Sequence, residues 1–223
     1  MSIKKHIPNS ITCCNLISGC IATYFAFNGK FEMAMLFIVI GAVFDFFDGF
    51  TARLLNVSSP IGKELDSLAD DITFGMAPAT IVYSLLKMQN VPGFVPFIAF
   101  LIAAFSALRL AKFNLDERQA MGFIGLPTPA NALFWGSLAI SLQHVQWSEM
   151  WIALVVGILL SCWILVCEVP MFALKFHDFS WKNNKLRYSF IGISAILLAL
   201  FGVLGFAIIV ALYVILSVLS WKF

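Results

Sequence analysis

The chain has 223 residues, of which 61% are hydrophobic, 15% aromatic and only 12% charged, with a net charge of +2. Soluble domains carry about 25% charged residues, so half that content excludes an ordinary water-soluble fold and points to an integral membrane protein. The near-neutral balance and the lack of a long basic run exclude a nucleic-acid groove, so no nucleic-acid partner is expected.

A membrane span needs about 20 largely apolar residues. The first such run follows Lys4 and Lys5, contains Asn9, Thr12 and Asn15, and has no small-residue cleavage site of the A-x-A kind, so a retained span is expected. Candidate spans lie at 9–29, 32–55, 63–88, 93–115, 127–145 and 150–173. The final stretch, 186–222, would exceed about 50 Å as one helix, and Gly202 and Gly205 punctuate it, so it divides into spans seven and eight. The expected fold is therefore an all-α polytopic membrane helix bundle, a six-helix core plus two C-terminal spans. It forms one membrane domain over 1–223, with a catalytic core at 5–175 and an accessory pair at 186–222.

Charge orients the bundle. With both termini cytoplasmic, Lys4, Lys5, Arg53, Lys63, Arg109, Lys112, Arg118, Lys175, Lys182, Lys185, Arg187 and Lys222 fall inside, and only Lys30 and Lys87 of the 14 basic residues fall outside. The loops 116–126 and 174–187 are too short for a soluble domain, and no repeat occurs. Trp147, Trp151, Trp181 and Trp221 fall near interfaces, where aromatic belts are expected. Cys13, Cys14, Cys20, Cys162 and Cys167 lack metal-type spacing, and His6, His144 and His177 are too scattered for a metal triad.

The chemistry concentrates between spans two and three, in the pattern Asp45-x2-Asp48-Gly49-x2-Ala52-Arg53-x8-Gly62-x3-Asp66-x3-Asp70. On a helix the first five residues share an arc of about 140°, and Gly62, Asp66 and Asp70 share one face of the next helix. Asp71 points away from that face. An Asp at mid-membrane costs about 3 kcal/mol, so four unpaired acids would cost roughly 10 kcal/mol. Two Mg2+ or Mn2+ ions would neutralise four carboxylates and prefer oxygen ligands; solvated helix caps are the plainer alternative. Gly49 and Ala52 leave room for a ligand to approach the backbone, or serve simple helix packing. Arg53, Ser59, Gly62 and Lys63 offer a fork, a hydroxyl, a bare turn and an ammonium for phosphate oxygens.

This pattern matches, at all eight specified positions and with unchanged intervals, the signature of the CDP-alcohol phosphotransferase family of membrane enzymes, which the chain resembles. Four further stretches are similar to the membrane-embedded CDP-diacylglycerol:serine O-phosphatidyltransferases within it: Ile7-Pro8-Asn9 with Thr12, Asn15 and Gly19; Asp66-Ser67-Leu68-Ala69-Asp70; Ala107 to Asn114; and Gly125-Leu126-Pro127-Thr128-Pro129. Lys112 stands where many relatives have Arg. The resemblance covers roughly residues 5–175. It implies a homodimer, in a bacterial or archaeal plasma membrane, whose site opens to the cytoplasm and uses CDP-diacylglycerol and L-serine among the membrane lipids. It also implies that Asp45 and Asp66 bridge two metals, that Asp48 binds one and Asp70 the other, and that Asp70 is the general base. Asn9, Thr12, Gly49, Ala52, Arg53, Ser59, Gly62, Lys63 and Ser67 would receive the CDP-lipid. Arg109, Lys112, Asn114, Arg118 and Thr128 are candidates for serine. Arg109 could equally be a positive-inside anchor and Thr128 a cap, while Glu168 could pair with a loop cation. The same signature also serves other acceptors, such as glycerol 3-phosphate or inositol phosphate, and a cation transporter with intramembrane carboxylates is an alternative of another class.

Overall fold

A computed structural model describes residues 6–89, 91–116, 123–145, 147–172, 180–181 and 184–221. Its helices are α1 (His6–Phe27), α2 (Phe31–Leu54), α3 (Pro60–Asp70), α4 (Ala77–Lys87), α5 (Leu101–Leu115), α6 (Thr128–Leu142), α7 (Met150–Val166), α8 (Lys185–Phe201) and α9 (Leu204–Trp221). A π-helical segment, Asp71–Met76, joins α3 to α4 without a break, and a 3-10 turn, Val95–Phe100, leads into α5. Counted as continuous rods, these are the eight expected spans. Helices His6–Phe27, Phe31–Leu54 and Val95–Leu115 are long and apolar enough to cross a membrane. The protein is an integral membrane protein.

Local chemistry explains the breaks. Gly29, at φ 68°, turns the chain between α1 and α2, and Gly202, at φ 55°, ends α8, both in the left-handed region that a Cβ disfavours. Ser59 caps α3 by accepting from the Gly62 amide at 3.0 Å, and Pro60 follows in the first turn, where its missing N–H costs nothing.

Span six is shorter than the expected 150–173. α7 stops at Val166 because Cys167 turns extended and the neighbouring carbonyls are used elsewhere: Ile164 accepts from the Leu126 amide at 3.0 Å and Val169 from Gly125 at 2.9 Å. Beyond it, β2 (Pro170–Met171) pairs antiparallel with β1 (Phe123–Ile124), Phe123 opposite Met171. The sequence pattern did not suggest this ladder, because two-residue strands have no periodicity to detect.

One core gathers Ala22, Phe31, Ile38, Phe74, Ile81, Leu85, Trp135 and Ile158 from α1, α2, the π-helical segment, α4, α6 and α7. Lipid tails are as apolar as these side chains, so cohesion relies on close packing over small residues. The tightest point is a notch under the acids. A Cβ on Gly41 would lie 2.5 Å from Thr73 Cγ2, and one on Gly19 would strike Thr73 Oγ1. A second core joins Leu126, Leu165, Met171, Phe190, Val210 and Tyr213, so α9 packs over the ladder and against α6 rather than standing apart from the bundle.

Candidate active site

α1, α2 and α3 converge at one end of the bundle. Asp45, Asp48 and Asp66 each offer a ligand oxygen, and these atoms lie within 4.8 Å of one another. Asp45 and Asp66 face each other at hydrogen-bonding range. Among the described residues none of the four acids forms an ion pair, and Asp66 Oδ1 is buried without a hydrogen-bond partner. Concentrated negative charge with an orphaned oxygen suits a hard cation, so the donor set could hold a metal ion.

Asp70 is set beside this trio rather than within it. One helical turn beyond Asp66, its Oδ1 accepts from Asn15 Nδ2 at 3.1 Å, within electrostatic reach of Asp45 and Asp66. Thr12 Oγ1 donates to Asp48 Oδ2 at 2.6 Å. Asn15 is the orienting residue that the sequence reading left without a role. Its signal was the three-residue interval linking Asn9, Thr12 and Asn15 on one face of α1.

Beside the trio lies a cavity of about 240 Å³, bordered by Asn9, Thr12, Asp48, Gly49, Ala52, Ser59, Gly62, Lys63 and Asp66, with Pro8, Val57 and Ser58 joining them. Seven of the nine residues expected to receive the CDP-lipid thus share one wall. A Cβ on Gly62 would approach both Asn9 Oδ1 and Ser59 Oγ at 3.0 Å, so glycine lets α1 and the α3 cap close together. Arg53 is exposed, but its guanidinium folds back over Gly49, where a Cβ would stand 3.8 Å from Nη1. Ser67 lies off the cavity: its Oγ accepts from Asn114 Nδ2 at 2.8 Å, while Lys63 Nζ donates to Asn114 O at 3.0 Å. Asn114 thus straps α3 to α5, which sets it apart from the other acceptor candidates. Asp71 lies outside the trio, its Oδ1 packed near Gly75 and Ser106 on the α5 side.

The acceptor candidates separate. Arg109 is 6% exposed, its guanidinium carbon 5.3 Å from the Phe113 ring centroid and 6.0 Å from that of Phe123. Its Nε and Nη2 are buried without partners among the described residues, yet the side chain lies within electrostatic reach of Asp70. An ordinary interface anchor would reach water instead. Lys112 does face outward, donating to Val166 O at 3.3 Å and standing 4.0 Å from Glu168, so the cation near that acid comes from α5 and not from a loop. It braces the end of α7 rather than facing the trio. Thr128 is fully buried at the start of α6, where no side chain caps the helix, and its Oγ1 has no partner among the described residues. Arg118 lies outside the described residues. A second cavity, of about 370 Å³, opens between Arg109, Lys112, Ile124 and Glu168.

Residues 5–159 match the family model for CDP-alcohol phosphatidyltransferase. The chain is 41% identical over 129 residues to the CDP-diacylglycerol–serine O-phosphatidyltransferase of Bacillus subtilis, covering 56% of this chain and 70% of that relative. It is 29% identical over 223 residues to the enzyme of that name from Mycobacterium leprae, covering 96% and 70% of the two chains. It is also 37% identical over 134 residues to the one from Methanocaldococcus jannaschii, covering 59% and 60%.

Proposed function

Because the chain belongs to the CDP-alcohol phosphatidyltransferase family, we propose that it transfers the phosphatidyl group of CDP-diacylglycerol to the hydroxyl of L-serine, giving phosphatidylserine and CMP. The observation that carries this is the cluster of Asp45, Asp48 and Asp66, of which Asp48 and Asp66 border a cavity walled by Gly49, Ala52, Ser59 and Gly62. The printed names of the relatives supply the serine acceptor.

Asp45, Asp48 and Asp66, with Asp70 beside them, would hold two Mg2+ or Mn2+ ions, and the charge these supply would offset that of the diphosphate. Gly49 and Gly62 leave the backbone bare for the nucleotide, and Arg53 with Lys63 neutralises phosphate oxygens at the rim. Asn15 holds the Asp70 carboxylate so that it takes the proton of the serine hydroxyl. The serine oxygen then bonds to the phosphorus carrying diacylglycerol, the bond from that phosphorus to the CMP oxygen breaks, and CMP leaves with the electron pair. Arg109, whose Nε and Nη2 have no hydrogen-bond partner among the described residues, receives the serine carboxylate. Phe46, Phe50 and Leu54 leave exposed apolar surface on α2, the helix that also carries Asp48 and Gly49.

The Lys and Arg distribution supports a site facing the cytoplasm of a bacterial or archaeal plasma membrane. We take 5–175 as the catalytic unit of a single membrane domain that works as a homodimer. The test is CMP release by purified protein given CDP-diacylglycerol, Mg2+ or Mn2+, and one alcohol at a time. Release with serine is expected; release only with glycerol 3-phosphate or an inositol phosphate would reassign the acceptor, and no release with any alcohol would favour a transport role.

A further inference from the structure

The C-terminal helices lie beyond residues 5–159, the extent of the family match, yet one of them reaches the acceptor side. Tyr213, near the middle of α9, is 9% exposed. Its hydroxyl donates to the Phe172 carbonyl at 3.0 Å, and its ring packs on Phe172 with centroids 4.8 Å apart. Phe172 follows directly on β2, where Met171 pairs with Phe123 of β1, and Phe123 forms one of the two aromatic faces over Arg109. A continuous run of contacts therefore links a phenol on α9 to the Arg109 side chain, whose Nε and Nη2 have no hydrogen-bond partner among the described residues. The Tyr213 oxygen also lies within electrostatic reach of Arg109.

Such a brace has a physical purpose. An Arg side chain has many rotamers, and one that must meet a small carboxylate without losing entropy at each encounter needs fixed walls. Two-residue strands cannot hold those walls alone, since even an isolated hairpin is marginally stable. Phe113 comes from α5 itself, but Phe123 depends on its ladder.

We infer that Tyr213 is a positioning residue for the acceptor subsite: through Phe172 and the β1–β2 ladder it holds Phe123 against Arg109 and so sets where the acceptor's carboxylate is received. This rests on the serine assignment above. It gives α9 a part in acceptor affinity and none in nucleotide binding or in the chemical step.

Tyr213→Phe tests it, because the ring and its packing remain while the hydrogen bond is lost. Two measurements are made on full-length protein in detergent. In hydrogen–deuterium exchange without substrates, the amides of Gly125 and Leu126, bonded to Val169 and Ile164, should exchange faster than in wild type. In steady-state CMP release, the KM for serine should rise about fivefold, the yield of one neutral hydrogen bond, with kcat and the KM for CDP-diacylglycerol unchanged. Unchanged exchange overturns the brace. Faster exchange with an unchanged serine KM, or with both KM values rising together, overturns its link to the acceptor. Phe123→Leu, which keeps an apolar side chain but removes the ring face, should reproduce the serine effect, and an unaltered serine KM would count against the inference in the same way. Wild type without serine-dependent CMP release would refute the serine assignment itself, while the exchange result, needing no substrate, would still decide the brace.

Discussion

The proposed nucleotide side and the proposed acceptor side of this site are built in opposite ways. On the nucleotide side, Asp45, Asp48, Asp66 and Asp70 lie within 26 consecutive positions, on two helices joined by one short turn, and α1 closes over them with Asn9, Thr12 and Asn15. On the acceptor side, Arg109, Phe123, Phe172 and Tyr213 come from α5, β1, the residue after β2, and α9. A site built from helical periodicity is insensitive to distant change, whereas one assembled from remote segments inherits every shift of those segments.

The sharpest way to break the comparison is at the trio. Asp66→Asn removes one charge while keeping shape, and CMP release should fall about a thousandfold or more, as expected when an electrostatic clamp is lost; retained thermal stability would show that the fold survives. Asp70→Asn should lower turnover by about a hundredfold to ten-thousandfold, the range of general-base catalysis, with CDP-diacylglycerol binding retained. Substantial residual turnover would remove Asp70 from the proton transfer and leave it a supporting role beside Asn15.

On the other side the effects should be smaller and confined to serine. Arg109→Ala should raise the serine requirement by about tenfold to a hundredfold, as for a charge-assisted hydrogen bond, with the nucleotide KM unmoved; Arg109→Lys should not rescue it, since an ammonium lacks the planar fork that rests against the Phe113 and Phe123 rings. Equal changes in both KM values would mean the two sides are not separable. The smallest effect belongs to Lys112→Ala. That side chain is 49% exposed and 4.0 Å from its partner carboxylate, so CMP kinetics should change less than about twofold.

Much of the nucleotide side was legible because intervals of three and four residues place side chains on one helical face without any knowledge of the fold. The π-helical segment was not. Asp71–Met76 widens the helix where Thr73 fits the notch left by Gly19 and Gly41, and its Oγ1 donates to Asn15 O at 3.1 Å. The partners that favour this geometry lie on α1 and α2, so no local pattern announces it. The C-terminal end of span six escaped for a related reason: Leu126 and Gly125 hydrogen-bond to carbonyls there, and only the folded chain brings them together.

By itself, the sequence determined the membrane class, the division into eight rods and the face shared by the acids. Each follows from hydropathy, from glycine at the breaks, or from helical phase, which are properties of a residue and its near neighbours. The tertiary structure alone decided that three acids converge while Asp70 stands beside them on Asn15, that Arg109 is buried and Lys112 is not, and that α9 leans on the acceptor ladder. These depend on proximity between residues about a hundred positions apart, such as Arg109 and Tyr213, which packing rather than spacing brings within electrostatic reach.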